Sequence, residues 1–241
     1  MSISISELER ALSPARLGPY RTRSTSDEEA ICFYLWNLAL SHELYPLLSS
    51  VEVALRNTIH AAATAHFGST EWFRDPALLA QPWQQQKMVA DARDGLWRAL
   101  GANPRAVPAP ALPAVDDHVA ALTFGFWTGL LNGPYERLLW DEAAGGVNLI
   151  PAAFPYAGRA VAHRPDIAKA VNATRRLRNR VSHTEPILWL RPALLTQYTA
   201  AIAILGWISP ALGTLVQRVD RFRAVHAAGH TSYLSQVTLT P

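Results

Sequence analysis

The residues best equipped for chemistry in this chain lie together, in Arg175-Arg176-Leu177-Arg178-Asn179-Arg180-Val181-Ser182-His183-Thr184-Glu185-Pro186. Arginines, an asparagine and a histidine fall within about three helical turns, in an otherwise apolar, aromatic-rich sequence. Cationic side chains hold a phosphodiester, and an imidazole with an ordinary pKa of ~6.5 moves protons near neutral pH. RNA carries its own nucleophile, the ribose 2′-OH, so cleavage by such a set needs no metal. An arginine stabilises the extra charge on pentacoordinate phosphorus, and Asn179 orients the histidine or binds the phosphate. The products would carry a 2′,3′-cyclic phosphate and a 5′-hydroxyl.

Spacing decides how these groups meet. On a helix, residues four apart share a face. Arg175, Asn179 and His183 therefore form one polar stripe, Arg178 and Ser182 an adjacent one, and Leu177 and Val181 point towards the core. Arg178 and His183 lie about 140° apart around an ideal helix. They converge on one phosphate if the helix loosens near Pro186, if the arginine folds across, or if a second subunit contributes, and a site shared across a two-fold dimer fits this geometry. The competing reading is a solvated basic helix end, its cations favoured by the helix dipole.

The elements that must position this stretch are helical almost throughout. Ser26-Asp27-Glu28-Glu29 is an N-terminal capping signal. It opens a segment in which Ile31, Leu35, Leu38 and Tyr45 recur at helical spacing, and Pro46 is expected to break or bend it. Val51, Leu55, Ile59 and Ala62 make the stripe of a second helix ending near Gly68. Gln84 to Leu100 reads as a third, with Val89, Leu96 and Leu100 on one side. Pro104, Pro108, Pro110 and Pro113 mark an extended loop. Asp116 to Leu131 is helical again, with Phe124, Trp127 and Leu131 on one face and Gly125 and Gly129 allowing close helix contact.

Loops follow at Gly145-Gly146 and Pro151 to Pro155. Pro165 suits the first turn of a long helix running to about His183, with Ile167, Ala170, Val171, Thr174, Leu177 and Val181 buried. Glu185 precedes a proline and is pushed out of the α region, which ends that helix. Pro192 to Ile208 is nearly apolar all round and suits the core or a dimer interface. Thr231 to Thr240 reads as a short strand or a disordered tail. The fold class is all-α. An N-terminal extension (1–24) precedes a single helical domain (25–223, with the Pro-rich loop at 104–113) and a C-terminal tail (224–241).

Composition narrows the function classes. Hydrophobic residues make up 49% and charged ones 17%, ample for a core and unlike a disordered chain. The formal charge is only +3, so any nucleic-acid partner must be read from the local distribution. Arginine carries that charge almost alone, since Lys87 and Lys169 are the lysines. A single cysteine, Cys32, excludes a disulfide framework and a multi-cysteine zinc site, and its apolar neighbours predict a buried thiol. No apolar stretch reaches the roughly 20 residues that span a bilayer. Met1 to Arg10 shows no secretory pattern, so no membrane partner and a cytoplasmic protein are expected.

Other candidates are weaker. Glu52, Arg56 and His60 are spaced i, i+4, i+8, with Asn57 beside them. Either Glu52 and Arg56 position Arg178 or RNA, or they form a structural ion pair. His42 with Glu43, and His163 with Asp166, lack recognised ligand spacing, so no metal site is expected. Phe124, Phe126, Trp127 and Trp140 are core residues before they are base-stacking platforms. His226 and His230 read as solvated tail residues, and Arg21 with Arg23 as a small basic patch. No glycine-rich phosphate loop, nucleophile elbow or zinc-protease motif occurs, and no cofactor is expected.

Arg178-Asn179-Arg180-Val181-Ser182-His183 resembles the arginine, four residues, histidine signature of the HEPN superfamily of helical RNases and RNA-binding domains. Arg178 to Ile187 is similar to the Arg-Asn-Arg-Ile-Ala-His-His-Glu-Pro-Ile of bacterial Abi-like (abortive infection) proteins. Thr184 stands where that family often has a second histidine. Tyr34-Leu35-Trp36-Asn37, Val51 to Asn57, Leu122 to Trp127 and Leu205 to Ile208 are further similar segments, so the resemblance runs from about residue 25 to 223. It implies an antiparallel helical bundle with additional N-terminal helices, frequent homodimerisation through the motif, and metal-independent RNase activity in phage defence or toxin-like growth arrest, with a possible antitoxin partner. Arg178, His183 and Asn179 are then catalytic, Arg175, Arg180 and Ser182 contact RNA, and Glu52, Arg56 and Glu185 support them. The alternatives are a non-catalytic RNA-binding or regulatory module of the same fold, and a structural interaction protein assembled through Leu194 to Trp207.

Overall fold

A computed structural model of the chain describes residues 3–79, 83–143 and 145–240. The fold is all-α. Helices α1 (Ile5–Leu12), α2 (Pro14–Arg21) and α3 (Asp27–Phe67) come first. They are followed by α4 (Trp83–Ala99), α5 (Val115–Ala121), α6 (Phe124–Gly129), α7 (Glu136–Leu139) and α8 (Ile150–Ala153). The chain closes with α9 (Arg164–Ser182), α10 (Leu194–Ile208), α11 (Pro210–Gln217) and α12 (Phe222–Ala228). Among the described residues the strands are β1 (Ile3–Ser4) and β2 (Leu239–Thr240), paired in parallel.

Pro46 does not break the chain. It lies inside α3, one helix of 41 residues. A proline there frees the carbonyl four residues back, on His42, and both residues are exposed, so water can satisfy it. Leu40, Leu44, Leu47, Leu48, Val51, Leu55 and Ile59 are all at most 2% exposed. Burial on that scale, about 1.5–3 kcal/mol per large side chain, outweighs the proline. The buried stripe is also rotated from the expected one, since Tyr45 is 61% exposed. The capping signal acts as read: Ser26 Oγ accepts the Glu29 N–H, and the Glu29 carboxylate accepts the Thr25 N–H.

The residues group into two compact units: Met1–Ser49, Arg176–Ala200 and Thr214–Pro241 in the first, Ser50–Arg175 and Ala201–Gly213 in the second. In the first, Leu17, Ile31, Cys32 and Val237 form a core cluster that β2, α1 and the start of α3 cover. His226 and His230, read as solvated tail residues, are instead packed. His230 stacks on Phe33 with ring centroids 3.9 Å apart and contacts Glu29, and His226 lies against Trp36 and Phe222. Arg21 pairs with Glu9 and Asp27, while Arg23 lies over the Trp189 ring, so neither is a loose cation. The end of the chain is a 3-10 turn at His230–Gln236 and then β2.

In the second unit the segment expected as one helix from Asp116 to Leu131 divides at Leu122. Thr123 Oγ1 accepts the Phe126 N–H and starts α6 afresh. Phe124, Phe126, Trp127 and Trp140 are 4% exposed or less, which removes the base-stacking reading. Gly129 does permit close packing: a Cβ there would overlap the buried Gln85 side chain, which accepts from the Tyr135 hydroxyl. The Pro-rich loop is pinned, as Trp97 Nε1 donates to the Ala111 carbonyl and Arg74 to that of Pro113. Leu100 is 79% exposed, so the buried side of α4 is set by Gln85 and Trp97 rather than by Val89, Leu96 and Leu100. Helix α10 buries one face (Leu194, Tyr198, Ala201, Ile204, Leu205) and leaves Leu195 exposed, so it is not apolar-buried all round.

Candidate functional site

Helix α9 carries the arginine-rich stretch. Ile167, Val171, Thr174, Leu177 and Val181 are buried along one face, and this fixes which side chains face outward. Arg178 and Asn179 are half-buried, whereas Arg176, Arg180, Ser182 and His183 are exposed. The helical ladder continues through His183, whose N–H donates to the Asn179 carbonyl at 3.0 Å. The backbone therefore does not loosen between Arg178 and His183, and their angular separation of about 140° stands.

The helix ends in a paired-turn cap. Thr184 N–H donates to the Val181 carbonyl and Glu185 N–H to that of Arg180, at 3.1 and 2.9 Å. This cap places the residue after the helix in the left-handed region, where Thr184 sits with φ 51°. Glycine is the usual occupant, and a β-branched residue there is strained by about 1–2 kcal/mol. Thr184 Oγ1 offsets part of this by donating to the His183 carbonyl at 2.7 Å. Thus Thr184 acts here as a backbone cap.

Two residues outside the expected site, Arg16 and the Asn37 of the Tyr34-to-Asn37 segment, hold this turn. Arg16 Nη1 donates to the Thr184 carbonyl at 2.8 Å and to the His183 carbonyl at 3.3 Å. Asn37, fully buried, donates from Nδ2 to the Glu185 carbonyl at 3.2 Å and accepts the Ile187 N–H on Oδ1 at 2.8 Å. The Arg16 guanidinium also bears on electrostatics. A helix C-terminus carries roughly half a negative charge, which repels phosphate, and a cation bonded to the last carbonyls offsets it. The signal for Asn37 was available as a polar residue on an apolar helical face. The partner was not, being 148 residues away.

The remaining expected site residues fall as follows. Arg180 pairs with Glu185 at 3.3 Å, with both side chains 45% exposed, a pairing worth little to stability. Arg175 is half-buried, and its Nε is a buried donor with no acceptor among the described residues. The His183 ring makes no side-chain hydrogen bond among the described residues. Glu52 and Arg56 belong to the second unit, on α3. There Arg56 Nε donates to Asn57 Oδ1 at 3.2 Å. Among the described residues no group of His, Cys, Asp and Glu could hold a metal ion, and no helix is long and apolar enough to cross a membrane.

No family model, curated protein or solved structure matches this chain. Taken chemically, the end of α9 offers arginine donors, an amide, a hydroxyl and an accessible imidazole on a turn fixed from two sides.

Proposed function

We propose that the protein is a metal-independent endoribonuclease of the HEPN type, in the Abi-like manner, acting in phage defence or toxin-like growth arrest. The observation that supports this most is the presentation of His183: an exposed imidazole at a rigidly capped helix end, one to two turns from Arg178 and Asn179. His183 moves the proton of the attacking 2′-OH, or protonates the leaving 5′-oxygen. Arg178 stabilises the phosphorane charge, with Arg175, Arg180 and Ser182 contacting the strand. With the backbone helical through His183, Arg178 and His183 meet on one phosphate if the arginine folds across or if a second copy of the chain supplies one of the pair. The proposed site takes the second course, as a two-fold dimer would give.

The test is incubation of purified protein with cellular RNA in chelator. Cleavage that leaves 2′,3′-cyclic phosphate and is lost in His183→Ala supports the proposal. Equal cleavage by that variant, or none on several RNAs, removes it. One observation favours a second reading, a non-catalytic RNA-binding module: catalytic imidazoles are usually oriented by a third group, and the His183 ring has none among the described residues. That reading requires salt-sensitive RNA binding which survives His183→Ala and weakens in Arg178→Ala.

A further inference from the structure

A cavity of about 260 Å³ in the second unit is lined by Arg56, Asn57 and His60 of α3 and by Asp116, Val119 and Ala120 of α5. Its polar groups are unusual in how their roles are fixed. Trp72 Nε1 is a donor only, and it lies 3.2 Å from His60 Nδ1. Nδ1 must therefore accept, and the neutral ring carries its proton on Nε2. Burial pushes the His60 imidazole below its ordinary value, with Asp116 pulling partly the other way, so the ring is neutral near pH 7. Arg56 Nε donates to Asn57 Oδ1, which leaves the Asn57 amide NH2 and the terminal guanidinium nitrogens as donors. Asp116 is the one acidic side chain of the lining.

The lining thus presents several donors (Arg56, Asn57, His60) and a single carboxylate acceptor. Its ligand must show acceptors on one edge and donors on another. Two adjacent donors suit a carboxylate best, because its two oxygens accept in parallel. Among the RNA bases only guanine has that pair, N1–H and the 2-amino group, with O6 and N7 as acceptors on the neighbouring edge. Adenine and cytosine offer one exocyclic donor beside an acceptor, and uracil a single N–H. The volume lies just below the ~300–1,000 Å³ of drug-sized ligand sites, which fits one planar base with Val119 and Ala120 against its face. We propose that this cavity reads a guanine base splayed out of single-stranded RNA, with Asp116 accepting its N1–H and 2-amino group and the α3 donors facing O6 and N7. The proposal rests on RNA as the ligand but not on catalysis.

The experiment measures fluorescence anisotropy with labelled 2′-O-methyl octauridylates carrying guanine, inosine, adenine or cytosine at one central position. The methyl groups block the nucleophile, so binding is read without cleavage. The guanine octamer is expected to bind about tenfold more tightly than the others, inosine included because it lacks the 2-amino group. Asp116→Asn should erase that preference and leave binding of the adenine and cytosine octamers unchanged. Asp117→Asn, a matched charge change outside the lining, should keep the preference. Equal affinity for all octamers, or a guanine preference that survives Asp116→Asn, overturns the pocket and leaves the ribonuclease proposal standing. No binding of any octamer overturns RNA as the ligand and the pocket with it. An inactive protein that still prefers guanine overturns catalysis alone.

Discussion

Asn37 Oδ1 accepts the Ile187 N–H at 2.8 Å, with both residues fully buried, and the same amide holds the Glu185 carbonyl. This side chain thereby holds the inner side of the turn that follows His183. Asn37→Ala leaves two backbone groups without a partner, each costing about 1–3 kcal/mol. The variant should lose roughly 2–6 kcal/mol in urea unfolding. A loss below measurement error would mean that water replaces the amide.

Arg16 closes the same turn from its outer side. Arg16→Ala restores the negative pole of α9 beside the basic stripe, and RNA affinity should fall roughly two- to fivefold at low salt. Arg16→Lys keeps the charge and should retain most of that affinity. Titration of a labelled single strand separates the two, and equal binding by wild type and Arg16→Ala would show that the pole is not felt.

Thr184 is a candidate for stabilisation. Its φ of 51° suits glycine. Thr184→Gly should raise stability by about 0.5–1 kcal/mol, the relief of left-handed strain exceeding the lost hydroxyl contact and the added freedom of the unfolded chain. Thermal unfolding reports the sign, and a lower melting temperature would contradict the strain argument.

Two histidines set a pH limit on stability. Burial lowers the His60 and His118 imidazoles below 6.5. The unfolded chain therefore binds protons at these sites before the folded one does, and stability rises with pH in that window. Unfolding free energy should be level above about pH 7, fall as pH drops through ~6.5, and stop falling from this source once both folded-state values are passed. His60→Gln and His118→Gln should each flatten part of the slope. A slope unchanged in both single variants would assign it to other groups.

Much of this fold was legible in the sequence. Helix α9 was readable because Ile167, Val171, Leu177 and Val181 keep a helical period and Pro165 and Pro186 bracket it. The uninterrupted α3 was not, since whether a proline breaks a helix depends on what the surrounding face buries, a tertiary quantity. The left-handed Thr184 was hidden because no glycine marks it. Arg16 and Asn37 were hidden because their partners are 167 and 148 residues away in sequence. The arginine-rich stretch was visible, while the distant residues that hold its turn were not.

The most direct measurement is RNA cleavage in chelator by wild type, Arg178→Ala, His183→Ala and a one-to-one mixture of the two variants. Wild type should cut and leave 2′,3′-cyclic phosphate ends, and each variant alone should lose at least about a hundredfold. The mixture should recover part of the activity, because a mixed dimer rebuilds one intact site from Arg178 of one copy and His183 of the other. Wild-type rates from either single variant would contradict the ribonuclease assignment, and a mixture no more active than its components would contradict the shared site.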